Sequence, residues 1–189
     1  MTTEAKPGSR DRLLEAAAEL TYREGVVIGV EALCKAAGVS KRSMYQLFGS
    51  KDELVAASLK RRESAVAARL RPAADDPRPP RGRILHVFER LEEDAAAPDY
   101  RGCPFLAAQV ELKDADHPAS RVSREIKQNL TAYFRTEADR GGAADPGLLA
   151  RQLVLVFDGA SARAGVGADS LSGLAVATAA TLLDAAGVR

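Results

Sequence analysis

The residues that could do chemistry are concentrated in one short stretch, KRSMYQLFGSK, from Lys41 to Lys51. Wound as a helix at 100° per residue, it gathers Arg42 and Gln46 on one side, with Ser43 and Tyr45 beside them. Met44, Leu47 and Phe48 fall on the other side and are expected to face inward. The polar side then presents an arginine and a glutamine, the side chains suited to bidentate hydrogen bonds with guanine and adenine edges respectively. Lys41, Ser43, Tyr45 and Lys51 are of the types that bind phosphate oxygens. The chemistry in prospect is reading a nucleic acid, with an ordinary solvated helix face as the alternative.

Catalytic chemistry has far less to stand on. Two cysteines, Cys34 and Cys103, and two histidines, His86 and His117, form no zinc-ligand or disulfide pattern. There is no GxSxG, phosphate-binding loop or dinucleotide fingerprint, so neither an enzyme nor a cofactor is expected. Tryptophan is absent and aromatics are 5% of the chain, too few for a single-strand stacking platform. Net charge is +1 overall, but residues 1–62 hold 11 Lys/Arg against 8 Asp/Glu, which puts the basic end where the polar helix lies. MTTEAKPGSRDR lacks the apolar core of a secretory leader, and no run approaches 18 uncharged apolar residues. A cytoplasmic protein that does not enter a membrane is expected.

The elements that must position this stretch read as helices throughout. No strand-like alternation occurs, and Ala, Leu, Arg and Glu recur at helical spacing. Ser9 is expected to cap a first helix with Leu13, Ala17 and Leu20 on its apolar side, ended by Gly25. Val30, Leu33, Cys34 and Ala37 face inward on a second, which stops at Gly38. The third begins after Ser40 and ends at Gly49. Ser50 and Glu53 form a capping box that opens a fourth, running to about Leu70. Pro72–Pro80 carries four prolines in nine residues and reads as an exposed connection. Ile84, Phe88 and Leu91 mark a fifth helix, Cys103–Lys113 a sixth, and Val122, Ile126, Leu130 and Tyr133 a seventh opened by Pro118. The last two run from about Pro146 to Ala164 and from about Ser170 to Ala186. The expectation is an all-α fold of about nine helices, and two short helices around a glycine turn have helix-turn-helix geometry.

The segment GVSKRSMYQLFGSKDEL resembles the GVSKxTLYxHFxSKxEL signature of the TetR family of bacterial transcriptional regulators. The resemblance extends upstream through LTYREG and VEALCKAAG and covers roughly residues 10–60. More loosely, RGCPFLAAQVE followed by DHP is similar to the ligand-binding domain of one branch of that family. The resemblance implies a helix-turn-helix DNA-binding domain over 1–51, with the motif itself near 30–49. It implies a ligand-binding and dimerisation domain over 52–189, and a homodimer. It puts Ser43, Tyr45 and Lys51 at phosphate-contacting positions and Arg42 and Gln46 at base-reading ones. Two departures stand out. The turn Val27-Ile28-Gly29 is one residue shorter and lacks the family's phosphate-binding threonine, and Leu47 replaces a tyrosine or histidine.

The function expected is a ligand-responsive regulator: a repressor that binds a pseudo-palindromic double-stranded operator as a dimer and is released by a small-molecule effector. The alternative is a small-molecule-binding helical dimer whose DNA binding is weakened or lost. Phe88, Cys103, Phe105, Gln109, Tyr133, Phe134 and Phe157 are candidates for an effector pocket, each with an ordinary core role as the competing reading. Asp158 reads as an ion-pair residue or a recognition point for a cation, and Cys34 as an inert core thiol. The small and apolar residues of the last two helices suit a close helix–helix interface between copies.

Overall fold

A computed structural model describes residues 8–189; the first seven residues of the polar N-terminal stretch lie outside the described part. Among the described residues there are nine α-helices and no strand. They are α1 (Ser9–Glu24), α2 (Val30–Ala37), α3 (Lys41–Phe48), α4 (Lys51–Leu70), α5 (Pro80–Ala95), α6 (Pro104–Leu112), α7 (Pro118–Arg140), α8 (Pro146–Gly165) and α9 (Leu174–Ala185). Contacts group the chain into two compact units. One runs up to Glu63 and includes Pro104–Arg124; the other is Ser64–Cys103 with Glu125–Arg189. The first unit is thus wider than the N-terminal segment that carries the helix-turn-helix.

In the first unit, Leu13, Leu14 and Ala17 of α1 pack with Leu33, Cys34 and Ala37 of α2, Met44 and Phe48 of α3, and Leu54 of α4. Gly38 ends α2 in the left-handed conformation (φ 61°, ψ 40°), which a side chain would strain. Its amide donates to the Lys35 carbonyl and that of Val39 to Cys34, closing the turn in Schellman fashion. The Arg12 side chain donates to the Ala37 carbonyl at 3.0 Å, which ties α1 to the C-terminal end of α2. Ser40 caps α3 by accepting the Ser43 amide, and Ser50 does the same for Glu53 at the start of α4.

The second unit has its own core. Phe88 stacks on Phe134 with ring centres 5.7 Å apart and meets Phe157 edge-on at 6.5 Å. Leu149 and Leu153 of α8 and Ala175, Ala179 and Leu183 of α9 complete it. The segment before α6 lies on the end of α8. A Cβ on Gly165 would come within 2.5 Å of the Gly102 nitrogen, so only glycine allows this approach. The Tyr100 and Ser161 hydroxyls are hydrogen bonded there at 2.9 Å.

Three boundaries differ from the sequence reading, each for a local reason. Ser9 does not cap α1: Gly8 holds the N-cap position, its carbonyl accepting the Arg12 amide, and Ser9 is already helical. Helix α6 begins at Pro104, which lacks the amide hydrogen that a first helical residue leaves unused, and ends before Lys113, whose φ is 51°. Helix α9 begins at Leu174, four residues late, because Ser172 (φ 38°) and Gly173 turn the chain. Glu92 of α5 supplies its cap. The carboxylate accepts the amides of Gly173, Ala175 and Val176 at 2.7, 2.8 and 3.1 Å.

The proline-rich connection is not helical and is largely exposed, but a buried charge holds it down. Arg83 is buried, donates from Nε to Glu137 at 3.1 Å, and reaches the carbonyls of Ala73 and Asp76. Arg140 also pairs with Glu137, and the Tyr133 hydroxyl donates to the Arg83 carbonyl. Burial first, and then the Glu137 carboxylate, push the Tyr133 phenol up to about 12, so it stays a donor. Removing one partner of a buried pair strands the other charge, which costs about 3–5 kcal/mol. Glu137→Ala is therefore expected to lower the unfolding free energy by that amount in urea titrations. A loss below about 1 kcal/mol, the range of an exposed pair, would show that the Arg83 charge is not truly buried.

Candidate nucleic-acid interface

Helix α3 is eight residues long, and its two sides are made differently. Met44 and Phe48, one turn apart, are buried against α1 and α2. Arg42 and Gln46 are exposed, with Tyr45 49% exposed beside them. Among the described residues, none of these three side chains has a hydrogen-bond or ion-pair partner. Leu47 is a correction to the sequence reading: it is 41% exposed rather than buried. Leu47 lies about 60° round from Met44, at the margin of the side that Met44 and Phe48 bury.

The other predicted phosphate contacts are partly engaged. The Lys41 ammonium pairs with Glu31 at 3.2 Å, with both side chains mostly exposed. Such a pair contributes well under about 1 kcal/mol and exchanges readily for a stronger anion. The Ser43 hydroxyl lies 2.9 Å from that of Ser40. Lys51 donates to the Val26 carbonyl at 3.1 Å and keeps two further N–H donors. Its position is therefore fixed by the turn between α1 and α2.

That turn is held from a second side by a residue that no motif signals. Glu111 of α6 accepts the Val26 amide at 2.7 Å. Gly25 makes room for it, since a Cβ there would come within 2.6 Å of the carboxylate. The backbone of Val26 is clasped at its amide nitrogen by α6 and at its carbonyl oxygen by α4. The partner of Glu111 is a main-chain group 85 residues away, so residue type and spacing carry no trace of it. Val27 projects outward, Ile28 is buried, and Gly29 begins α2 without a side-chain cap. Arg10 is a further exposed cation, its guanidinium 5.1 Å from the centre of the Phe48 ring. His117 accepts the Ala119 amide at the start of α7 and lies 3.4 Å from Asp52.

Of the predicted pocket residues, Phe88, Phe134 and Phe157 are in ring contact inside the second core, with Tyr133 and Cys103 half-buried against it. Phe105 is buried and Gln109 half-buried one turn apart on α6, in the first unit. Asp158 pairs with Lys127, whose ammonium lies 4.8 Å from the Phe157 ring centre. A cleft of about 380 Å³ in the second unit is lined by Tyr100, Arg101, Ala164 and Val166, among others, and by none of the predicted residues. Burial pushes the Cys34 thiol up, with Lys41 opposing weakly, so it is a poor nucleophile.

Two short helices around a glycine turn, the second capped and exposing Arg42 and Gln46, have the geometry of a helix-turn-helix. Residues 13–58 match the family described as bacterial regulatory proteins, tetR family. The whole chain is also similar to a solved protein assigned as a TetR transcriptional regulator (sav143) from Streptomyces avermitilis. That likeness has 69% identity and a TM-score of 0.95, over 97% of this chain and 100% of that one. The chain belongs to the TetR family. It is also similar to SCO4454, a TetR-family transcriptional regulator from Streptomyces coelicolor (25% identity, TM-score 0.86, 95% and 96% covered). Escherichia coli NemR in its reduced form shares the fold at 20% identity, with a TM-score of 0.78 over 93% and 95% of the chains. No curated protein sequence matches the chain. As a TetR-family transcriptional regulator it is a DNA-binding protein, and no helix among the described residues is long and apolar enough to cross a membrane.

The Glu111 clasp has a measurable weight. A hydrogen bond to a charged acceptor contributes about 1.5–3 kcal/mol when well sheltered, and this one is only partly so. Glu111→Ala is expected to destabilise the first unit by about 1–2 kcal/mol and to speed hydrogen exchange at the Val26 amide. Unchanged exchange at Val26 would refute the clasp.

Proposed function

We propose that the protein is a ligand-responsive repressor that binds a pseudo-palindromic operator as a homodimer and leaves it when a small molecule binds. The observation that carries this reading is the outward face of α3, where Arg42 and Gln46 are exposed opposite the buried Met44 and Phe48. In this reading residues 1–51 recognise DNA, with Arg42 and Gln46 on base edges and Lys41, Ser43, Tyr45 and Lys51 on phosphates. Residues 52–189 bind the effector and form the dimer, and Phe88, Cys103, Tyr133, Phe134 and Phe157 are the pocket candidates within the second unit. Effector binding favours a dimer state whose recognition helices are wrongly spaced for the operator, so operator affinity falls by the differential binding energy.

Exposed apolar residues favour the dimer. Leu148, Leu155, Gly159 and Ala162 are exposed along one side of α8, Leu155 to 73%, and Leu174, Ala177, Thr178 and Thr181 along α9. Leucines left in water beside small residues suit a close, symmetric helix pairing. Leu155→Glu is expected to yield a folded monomer by light scattering, where the parent chain is a dimer. A parent chain that is monomeric at micromolar concentration would sink this part of the reading.

Selection of bound genomic fragments at moderate salt is expected to recover a pseudo-palindrome. On that site Arg42→Ala and Gln46→Ala should each cost about 1–3 kcal/mol and relax preference at one position per half-site. Lys51→Ala should weaken all sequences alike and lower the salt dependence. If both face variants kept full affinity and sequence preference, the recognition-face assignment would be wrong. A second reading, a ligand-binding dimer with weakened DNA binding, draws on Gly29, which offers no hydroxyl at the start of α2. If DNA binding is lost outright, this reading predicts no DNA affinity for salt to weaken.

A further inference from the structure

A lysine that meets a phosphate has to keep its charge and still be aimed. Lys41 and Lys51, the two lysines expected at phosphates, are held differently. The Lys41 ammonium is paired with the Glu31 carboxylate, which offsets its charge. Lys51, half-buried, donates instead to a neutral acceptor, the Val26 carbonyl at 3.1 Å, and among the described residues no carboxylate pairs with it. Asp52, the next residue, lies 3.4 Å from the His117 ring. A carbonyl orients an ammonium without cancelling its charge, but only if the carbonyl itself is fixed. Val26 lies in the turn between α1 and α2, outside any helix, and its amide is taken by the Glu111 carboxylate of α6 at 2.7 Å. Gly25 leaves the space in which that carboxylate lies. All of these groups belong to the first unit.

We propose that Glu111 is a positioning residue for DNA binding: by fixing the Val26 backbone, it holds the Lys51 ammonium ready for an operator phosphate. The assignment rests on the DNA-binding reading above, in which Lys51 meets a phosphate, and deepens it with a residue that itself meets none. A free lysine has a flexible stem to order when the phosphate arrives. With one N–H already on the Val26 carbonyl, part of that ordering is complete beforehand and two donors remain. The consequence runs against simple electrostatics. Glu111 is an acid in a unit that binds a polyanion, so deleting its charge alone would strengthen binding by long-range attraction. Here deletion loosens the acceptor of Lys51 and weakens binding instead.

The test compares Glu111→Ala with Glu111→Gln in the full chain, each alone and combined with Lys51→Ala. The probes are the site recovered by selection and a random-sequence duplex of equal length. Affinity is read by fluorescence anisotropy across a salt series, at a temperature where circular dichroism shows every variant folded. Glutamine loses the same charge but keeps a carbonyl to accept the Val26 amide, so Glu111→Gln is expected to bind like the parent. Glu111→Ala is expected to lose about two- to tenfold per half-site on both duplexes, the equivalent of one lysine side chain left to be ordered on binding. It should also flatten the salt dependence in the same direction as Lys51→Ala, which a loss of fold alone would not do. Once Lys51 is replaced by alanine, Glu111→Ala is expected to cost nothing further. Equal or tighter binding by Glu111→Ala, or a loss of the same size in the Lys51→Ala background, overturns the role of Glu111 while the DNA-binding reading stands. So does a Lys51→Ala variant that binds as the parent does. A parent protein with no salt-sensitive affinity for either duplex overturns the DNA-binding reading and this assignment together.

Discussion

An eight-residue helix does not survive in water on its own, because nucleation costs more than so few hydrogen bonds return. Helix α3 therefore exists only as long as its neighbours hold it. Two side chains, Met44 and Phe48, anchor it against α1 and α2, Ser40 closes one end, and the turn at Gly49 closes the other. Everything that faces outward depends on those few attachments. Arg42 and Gln46 can be left without partners because the inward side of the helix supplies its stability.

The same division of labour extends to the ends of α2. Gly38 and Arg12 satisfy its last carbonyls, while the turn before it is clasped at Val26 from α4 and from α6. Lys51, expected as a phosphate ligand, is part of that clasp. One of its three donors fixes the turn, so Lys51 ties the start of α4 to the shape of the turn before α2. The second unit uses a parallel device. Glu92 gathers three amides at the start of α9, and Arg83 gathers two carbonyls and Glu137, so in each case one charge orders a segment with little regularity of its own.

How much of this was legible in the sequence depends on how local the cause was. Capping residues and the inward faces of α1 and α2 follow from spacing within a single helix, and Ser40, Ser50, Leu13 and Leu33 stand where the pattern puts them. The exposed and buried sides of α3 follow from the same periodicity, except at Leu47. A wheel assigns direction but not how far a neighbouring helix reaches round, and Leu47 stays 41% exposed at the margin of the buried side. Ser9 failed because an extended glycine one residue earlier could start the helix just as well. The start of α9 and the clasp at Val26 were invisible for a stronger reason. Their partners are main-chain amides 81 and 85 residues from the carboxylates, and a backbone amide has no letter in the sequence.

The Glu111 contact also sets a rule for recombination. A chimera that joined the first 51 or 63 residues of this chain to another protein's remaining helices would carry Gly25 and Val26 but leave Glu111 behind. The Val26 amide would then open to solvent, and the gap above Gly25 would face whatever side chain the new host supplied. Exchange of recognition elements among such proteins is thus not a single cut. The fragment that travels has to include α6, or the receiving chain must already hold a carboxylate at that point of its own sixth helix.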